Sequence, residues 1–81
     1  MSPNFAKGYI DRGIVYHKQK MYDEAIADFS KAIELAPENT TTYYNRSASY
    51  RAKGMTDKSI EDFTKANNLN REITETAEIS D

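Results

Sequence analysis

Among its 81 residues the chain holds one histidine, His17, and no cysteine. That inventory excludes much of the chemistry a small protein can do. Without thiolates there is no nucleophilic cysteine, iron–sulfur cluster, disulfide or cysteine-ligated zinc. An imidazole metal site would want a second histidine. General acid–base work by His17 needs a partner within hydrogen-bond reach and a pocket, and no serine–acid constellation stands at motif spacing. Gly8, Gly13 and Gly54 fit no phosphate-cradling loop. No run of carboxylates has the spacing of a calcium loop. The chemistry left is recognition, so the question becomes which elements present which side chains.

The length sets the scale. A chain this short makes one domain and buries only roughly 60–65% of the surface its unfolded form exposes. Regular helix packing or oligomerisation must then supply the stability. Eleven basic residues stand against 13 acidic ones, a net charge of −2. Such a balance argues against a general nucleic-acid binder, which needs a basic excess. The imbalance is local: Arg71 stands against Glu72, Glu75, Glu78 and Asp81 in the last eleven residues, a net of −3. No apolar run is long enough to span a bilayer, and the start lacks the apolar stretch of a secretory signal. Absent cysteine and absent signal both point to a cytoplasmic location.

The chain repeats itself. Shifted by 34 residues, 6–39 fall on 40–73, and twelve positions are identical. The pairs are Tyr9/Tyr43, Arg12/Arg46, Tyr16/Tyr50, Met21/Met55, Asp23/Asp57, Ile26/Ile60, Asp28/Asp62, Phe29/Phe63, Lys31/Lys65, Ala32/Ala66, Leu35/Leu69 and Glu38/Glu72. Chance alone gives about two or three at ordinary residue frequencies. Each unit carries apolar residues three and four apart, which places them in stripes along helices. Tyr9, Gly13 and Tyr16 share one face; Tyr22, Ile26, Phe29, Ala32 and Leu35 share another. No alternating stretch suggests a strand. Gly54 offers the positive φ of a tight helix–helix turn, and Lys20 must adopt the same conformation at a cost of roughly 1 kcal/mol. Pro37 with Asn39 or Thr40 ends one helix and caps the next. The pattern predicts four antiparallel helices at about 5–19, 22–35, 40–53 and 56–70.

Period, helix pairing and residue pattern together resemble the tetratricopeptide repeat family, whose signature is W-x₂-L-G-x₂-Y, then A-x₃-F, then P. The first unit answers with Tyr9-x₂-Arg12-Gly13-x₂-Tyr16, Ala25-x₃-Phe29 and Pro37. The second answers with Tyr43-x₂-Arg46-Ser47-x₂-Tyr50 and Ser59-x₃-Phe63, with Arg71 where proline belongs. The resemblance implies an all-α, right-handed α-solenoid fragment: repeat one at 6–39, repeat two at 40–73 and an acidic tail at 74–81. Gly13 and Ser47 let the paired helices approach. Phe29 and Phe63 are expected as central core residues between them, filling space with large rings. Arg12 and Arg46 replace the usual leucine, so their stems must pack while the guanidinium reaches water or an acid. Asp23, Glu24, Asp28, Asp57, Glu61 and Asp62 read as a solvated face, with Glu61 and Lys65 a favourable i,i+4 pair.

The resemblance further implies a non-catalytic scaffold that binds a peptide or partner helix in a concave groove, with no cofactor. The groove is lined by the first helix of each pair. In the first copy the lining is Lys7, Ile10, Asp11, Ile14, His17 and Lys18; in the second it is Thr41, Tyr44, Asn45, Ala48, Arg51 and Ala52. Ile10, Ile14 and Tyr44 are large apolar residues on a face that the core does not need, and clustered apolar exposure marks binding surfaces. Asn45 resembles one group of the carboxylate clamp of chaperone adaptors, but Ile10 and Ile14 hold the matching first-repeat positions.

Two other roles compete. One reads the chain as a self-assembly module, a stacked or helix-swapped homo-oligomer such as a dimer, because two repeats leave Ile60, Phe63 and Leu69 incompletely covered. An RNA-binding repeat would use Lys7, Lys18, Arg51, Lys53 and the tyrosines. Without proline at Arg71, the stripe Ile60, Phe63, Ala66, Leu69, Ile73 and Ala77 predicts that the last helix continues past residue 70.

Overall fold

The computed structural model describes residues 3–79, with side chains described for residues 5–72. Four helices follow one another: α1 Pro3–Lys18, α2 Tyr22–Leu35, α3 Thr40–Ala52 and α4 Thr56–Ile79. Antiparallel pairs form from α1 with α2 and from α3 with α4, and α3 lies against α2 to join the pairs. Pro3 opens α1, where a missing N–H costs nothing and φ is already helical. Asp23 and Glu24 sit in the first turn of α2, favourable to its dipole. Asn39 caps α3 by accepting a hydrogen bond from the Thr41 N–H at 3.1 Å.

Both hairpin turns are built alike. Lys20 and Gly54 have φ of 65° and 82°. The Met21 N–H reaches the Tyr16 carbonyl at 2.8 Å, and the Met55 N–H reaches Tyr50 at 2.9 Å. The Lys20 and Gly54 N–H groups bond to His17 and Arg51 at 3.0 and 2.9 Å. These paired bonds are a left-handed helix stop of Schellman type. Lysine therefore accepts in the first turn the conformation that glycine takes freely in the second.

The core centres on α2. Phe29 is 1% exposed, and Ala25 and Ala32 are fully buried beside it. Gly13 is required here: a Cβ at that position would lie 2.6 Å from the Phe29 ring. In the second repeat Ser47 replaces glycine, and its hydroxyl bonds the Ser59 carbonyl and the Ser59 hydroxyl, both at 2.9 Å. Phe63 departs from the expected core position, with 52% of its surface exposed, and Ile60 is 58% exposed. The reason is topological. Phe29 is covered by α3, the helix that follows its repeat, whereas α4 packs only on α3 among the described residues.

Asp28 and Asp62 correct a second expectation. They are buried, not part of a solvated face. Arg12 Nε and Nη2 grip the Asp28 carboxylate at 2.8 Å each, and Arg46 Nε and Nη2 grip Asp62 at 2.8 and 2.7 Å. Each guanidinium also lies between two tyrosine rings, Tyr9 and Tyr16 or Tyr43 and Tyr50, at 5.6–6.0 Å from their centroids. The hydrogen bonds to the paired aspartates, foremost, hold both arginines above their ordinary pKa, with desolvation opposing. Both stay charged. Arginine in place of leucine thus ties the two helices of each repeat by a two-pronged bond.

The last helix runs on to Ile79, as the missing proline predicts. Asn67 and Asn70 do not end it. Their side chains turn to α3, where the Tyr44 hydroxyl donates to Asn67 Oδ1 at 2.6 Å and Asn70 Nδ2 donates to the Tyr44 hydroxyl at 3.3 Å. The side chains of Ile73 and Ala77, expected to continue the apolar stripe, lie outside the described residues.

Candidate peptide-binding groove

The first helices α1 and α3 come together on one side of the hairpins. Between them is a cleft of about 140 Å³ lined by Ile14, His17, Lys18, Asn45 and Ala48, with Phe29 at its base. Spacings of three and four along each helix put these side chains on one face. Five of the residues the sequence assigned to the groove therefore meet at one place.

His17 is fixed across the cleft. Its Nδ1 is 2.8 Å from the Ser49 hydroxyl, and its ring meets Tyr22 edge-on at 5.1 Å between centroids. This contact joins the last turn of α1 to α3. It also gives the histidine a packing role. Ser49 is fully buried, yet sequence reasoning overlooked it. Its counterpart 34 residues earlier is Val15, so neither identity nor repeat pattern singles it out.

The remaining assigned residues spread outward. Lys7 and Asp11 pair with each other at 3.0 Å on the exposed flank of α1, and Ile10 is half-buried on the same helix. Thr41 is exposed in the first turn of α3. Tyr44 turns toward α4, its ring edge-on to Phe63 at 5.3 Å between centroids. Arg51 borders a different hollow, of about 250 Å³, with Ser47, Thr56, Ser59, Ile60 and Phe63. Of the cations that an RNA-binding role would use, Lys7 is paired with Asp11 and Lys53 with Asp23. Phe29, read from sequence as core alone, also floors the cleft.

The cleft offers an apolar base, an amide at Asn45 and a cation at Lys18. Ile14 stands across from Asn45, so the surface there is apolar rather than a cage for a terminal carboxylate. No helix among the described residues is long and apolar enough to cross a membrane.

Comparison with known proteins agrees with this architecture. Two solved crystal structures of MamA superpose on 88% of the chain, both at 27% identity, with TM-scores of 0.84 and 0.82. The matched region is 42% and 39% of those chains. A UDP-N-acetylglucosamine–peptide N-acetylglucosaminyltransferase of Giardia intestinalis is 44% identical over 39 residues, which is 48% of this chain and 3% of that protein. A DnaJ homolog subfamily C member 7 homolog of Dictyostelium discoideum shows the same identity over 39 residues, 7% of its length. The chain thus spans a small fraction of the curated relatives it matches, a segment of repeat size. The tetratricopeptide repeat pattern itself matches residues 6–39 and again residues 40–73. With two contiguous copies and the helix-pair stack that they build, the chain belongs to the tetratricopeptide repeat family, whose fold serves as a scaffold for protein–protein interaction.

Proposed function

We propose that the chain binds an extended or helical peptide along the face formed by α1 and α3, without catalysis. One observation carries this reading: Ile14, His17, Lys18, Asn45 and Ala48 converge on a cleft between the two first helices. Lys7, Ile10, Asp11, Thr41, Tyr44 and Arg51 extend the surface to either side. The fitting ligand has mixed apolar and acidic character. Apolar side chains sit on Ile14 and Ala48, and a carboxylate meets Lys18 or Arg51. Neither cation has an acidic partner among the described residues. Two repeats present little area, so affinity is modest, around micromolar.

A peptide-array screen followed by titration tests this. Lys18→Ala, Asn45→Ala and Ala48→Glu should each weaken a selected peptide at least about fivefold, roughly 1 kcal/mol, with unchanged melting temperature. Peptides that bind all three variants like the parent would place recognition elsewhere.

A further inference from the structure

The two ends of the helix stack are chemically matched to each other. Inside the chain, α3 packs on α2, and Thr42 and Ser49 of α3 are fully buried. Arg46 Nη1 donates to the Ser30 hydroxyl at 3.0 Å, and Lys53 pairs with Asp23 at the edge. The repeat supplies the same parts at the free ends. Thirty-four residues on from α2, the uncovered face of α4 carries Ile60 and Phe63, more than half exposed, beside Thr64 and Asp57. Thirty-four residues before α3, the outer face of α1 carries Gly8, Val15 and Arg12. Val15 is 51% exposed, and the Gly8 Cα faces open space. The Arg12 side chain is 59% exposed where Arg46, under its neighbour, is 20% exposed.

We propose that the chain stacks head to tail on a second copy of itself, α1 of one molecule lying on the α4 face of the next, as α3 lies on α2. The substitutions between repeats suit the contact. Arg12 finds a hydroxyl at Thr64 of the other copy in place of Ser30. Gln19 finds a carboxylate at Asp57 in place of the Lys53–Asp23 pair. Phe63 is covered by Ile14, where Phe29 has Ala48 beside it. Only the His17–Ser49 bond lacks a counterpart, since Arg51 and Val15 replace it, and Val15 adds apolar area instead. Net charge is complementary as well: Lys7, Arg12 and Lys18 against Asp11 leave α1 at +2, and Asp57, Glu61, Asp62 and Glu72 against Lys58, Lys65 and Arg71 leave residues 56–72 at −1. The contact joins unlike surfaces, so it does not close on itself at two molecules. The contact takes Ile14 from the rim of the peptide cleft but leaves Asn45 and Ala48 clear, so its failure leaves that reading intact.

Sedimentation of the 81-residue chain across a concentration series is the test. The weight-average mass should climb past that of a dimer as concentration rises to about 300 µM, the range of a weak contact. Gly8→Glu blocks the α1 face at an open position, and Phe63→Glu blocks the α4 face. Each variant alone should be monomeric, with the helical circular dichroism of the parent. Mixed in equal amounts they should form a one-to-one dimer, because each keeps the face the other has lost. Should Phe63→Glu lower the melting temperature, Ile60→Glu takes its place in the mixture. A parent chain that stays monomeric overturns the proposal. So does a mass that levels off at two chains, or a mixture of folded variants that remains monomeric.

Discussion

The two repeats share twelve residues at matching positions, yet the same residue does different work in each. Phe29 is sealed between α1, α2 and α3, while Phe63, its counterpart, is 52% exposed. Gly13 is pressed against the Phe29 ring, and Ser47 at the equivalent place has room for a side chain that bonds Ser59. Arg46 is covered by the preceding repeat and reaches Ser30, while the Arg12 side chain is mostly exposed among the described residues. In a stacked repeat, position in the array decides whether a residue is core. The identity of the residue does not.

The largest effect that would break this contrast is at the phenylalanines. Phe29→Ala should cost about 3–5 kcal/mol, a large part of the stability of so small a domain. Phe63→Ala should cost below about 1.5 kcal/mol under conditions where the chain is monomeric, because half the ring is already in water. Urea melts of dilute protein measure both, and equal losses would mean that Phe63 is covered within one chain.

Next comes the glycine. Gly13→Ser gives the first repeat the residue of the second and should cost about 1–3 kcal/mol through overlap with the Phe29 ring. In the double variant with Phe29→Ala the two losses should not add, because truncating the ring removes the overlap. Additive losses in a double-mutant cycle would move the strain elsewhere.

The arginine–aspartate ties sharpen the comparison further. Asp62→Asn should cost roughly 1–3 kcal/mol, since it weakens charge-assisted bonds to a largely covered guanidinium. Asp28→Asn should cost clearly less, because Arg12 can turn to water. Thermal midpoints of the two variants decide the order.

The turns give the smallest effect. Lys20→Gly should stabilise by roughly 0.5–1 kcal/mol by removing a left-handed lysine, and Gly54→Ala should destabilise by a similar amount. A neutral Lys20→Gly would mean that the added flexibility of the unfolded chain offsets the relief.

The helices, their order and their turns were legible in the sequence because they rest on local physics. The 3.6-residue periodicity, the cap at Asn39, the positive φ at Lys20 and Gly54 and the missing proline at Arg71 act within a few residues. The 34-residue shift then placed the helix pairs, and the family resemblance pointed to five of the side chains that line the cleft. What stayed hidden depends on neighbours distant along the chain. Sixteen residues separate Arg12 from Asp28, and nothing in either segment alone says that the carboxylate is buried. His17 and Ser49 meet across two helices, with no repeat counterpart to betray them. The exposure of Phe63 is the clearest case. Phe63 holds the same place in its repeat as Phe29, and the presence or absence of a covering helix decides whether water reaches the ring. Burial belongs to the assembled stack, and the tertiary structure alone shows where the stack is covered.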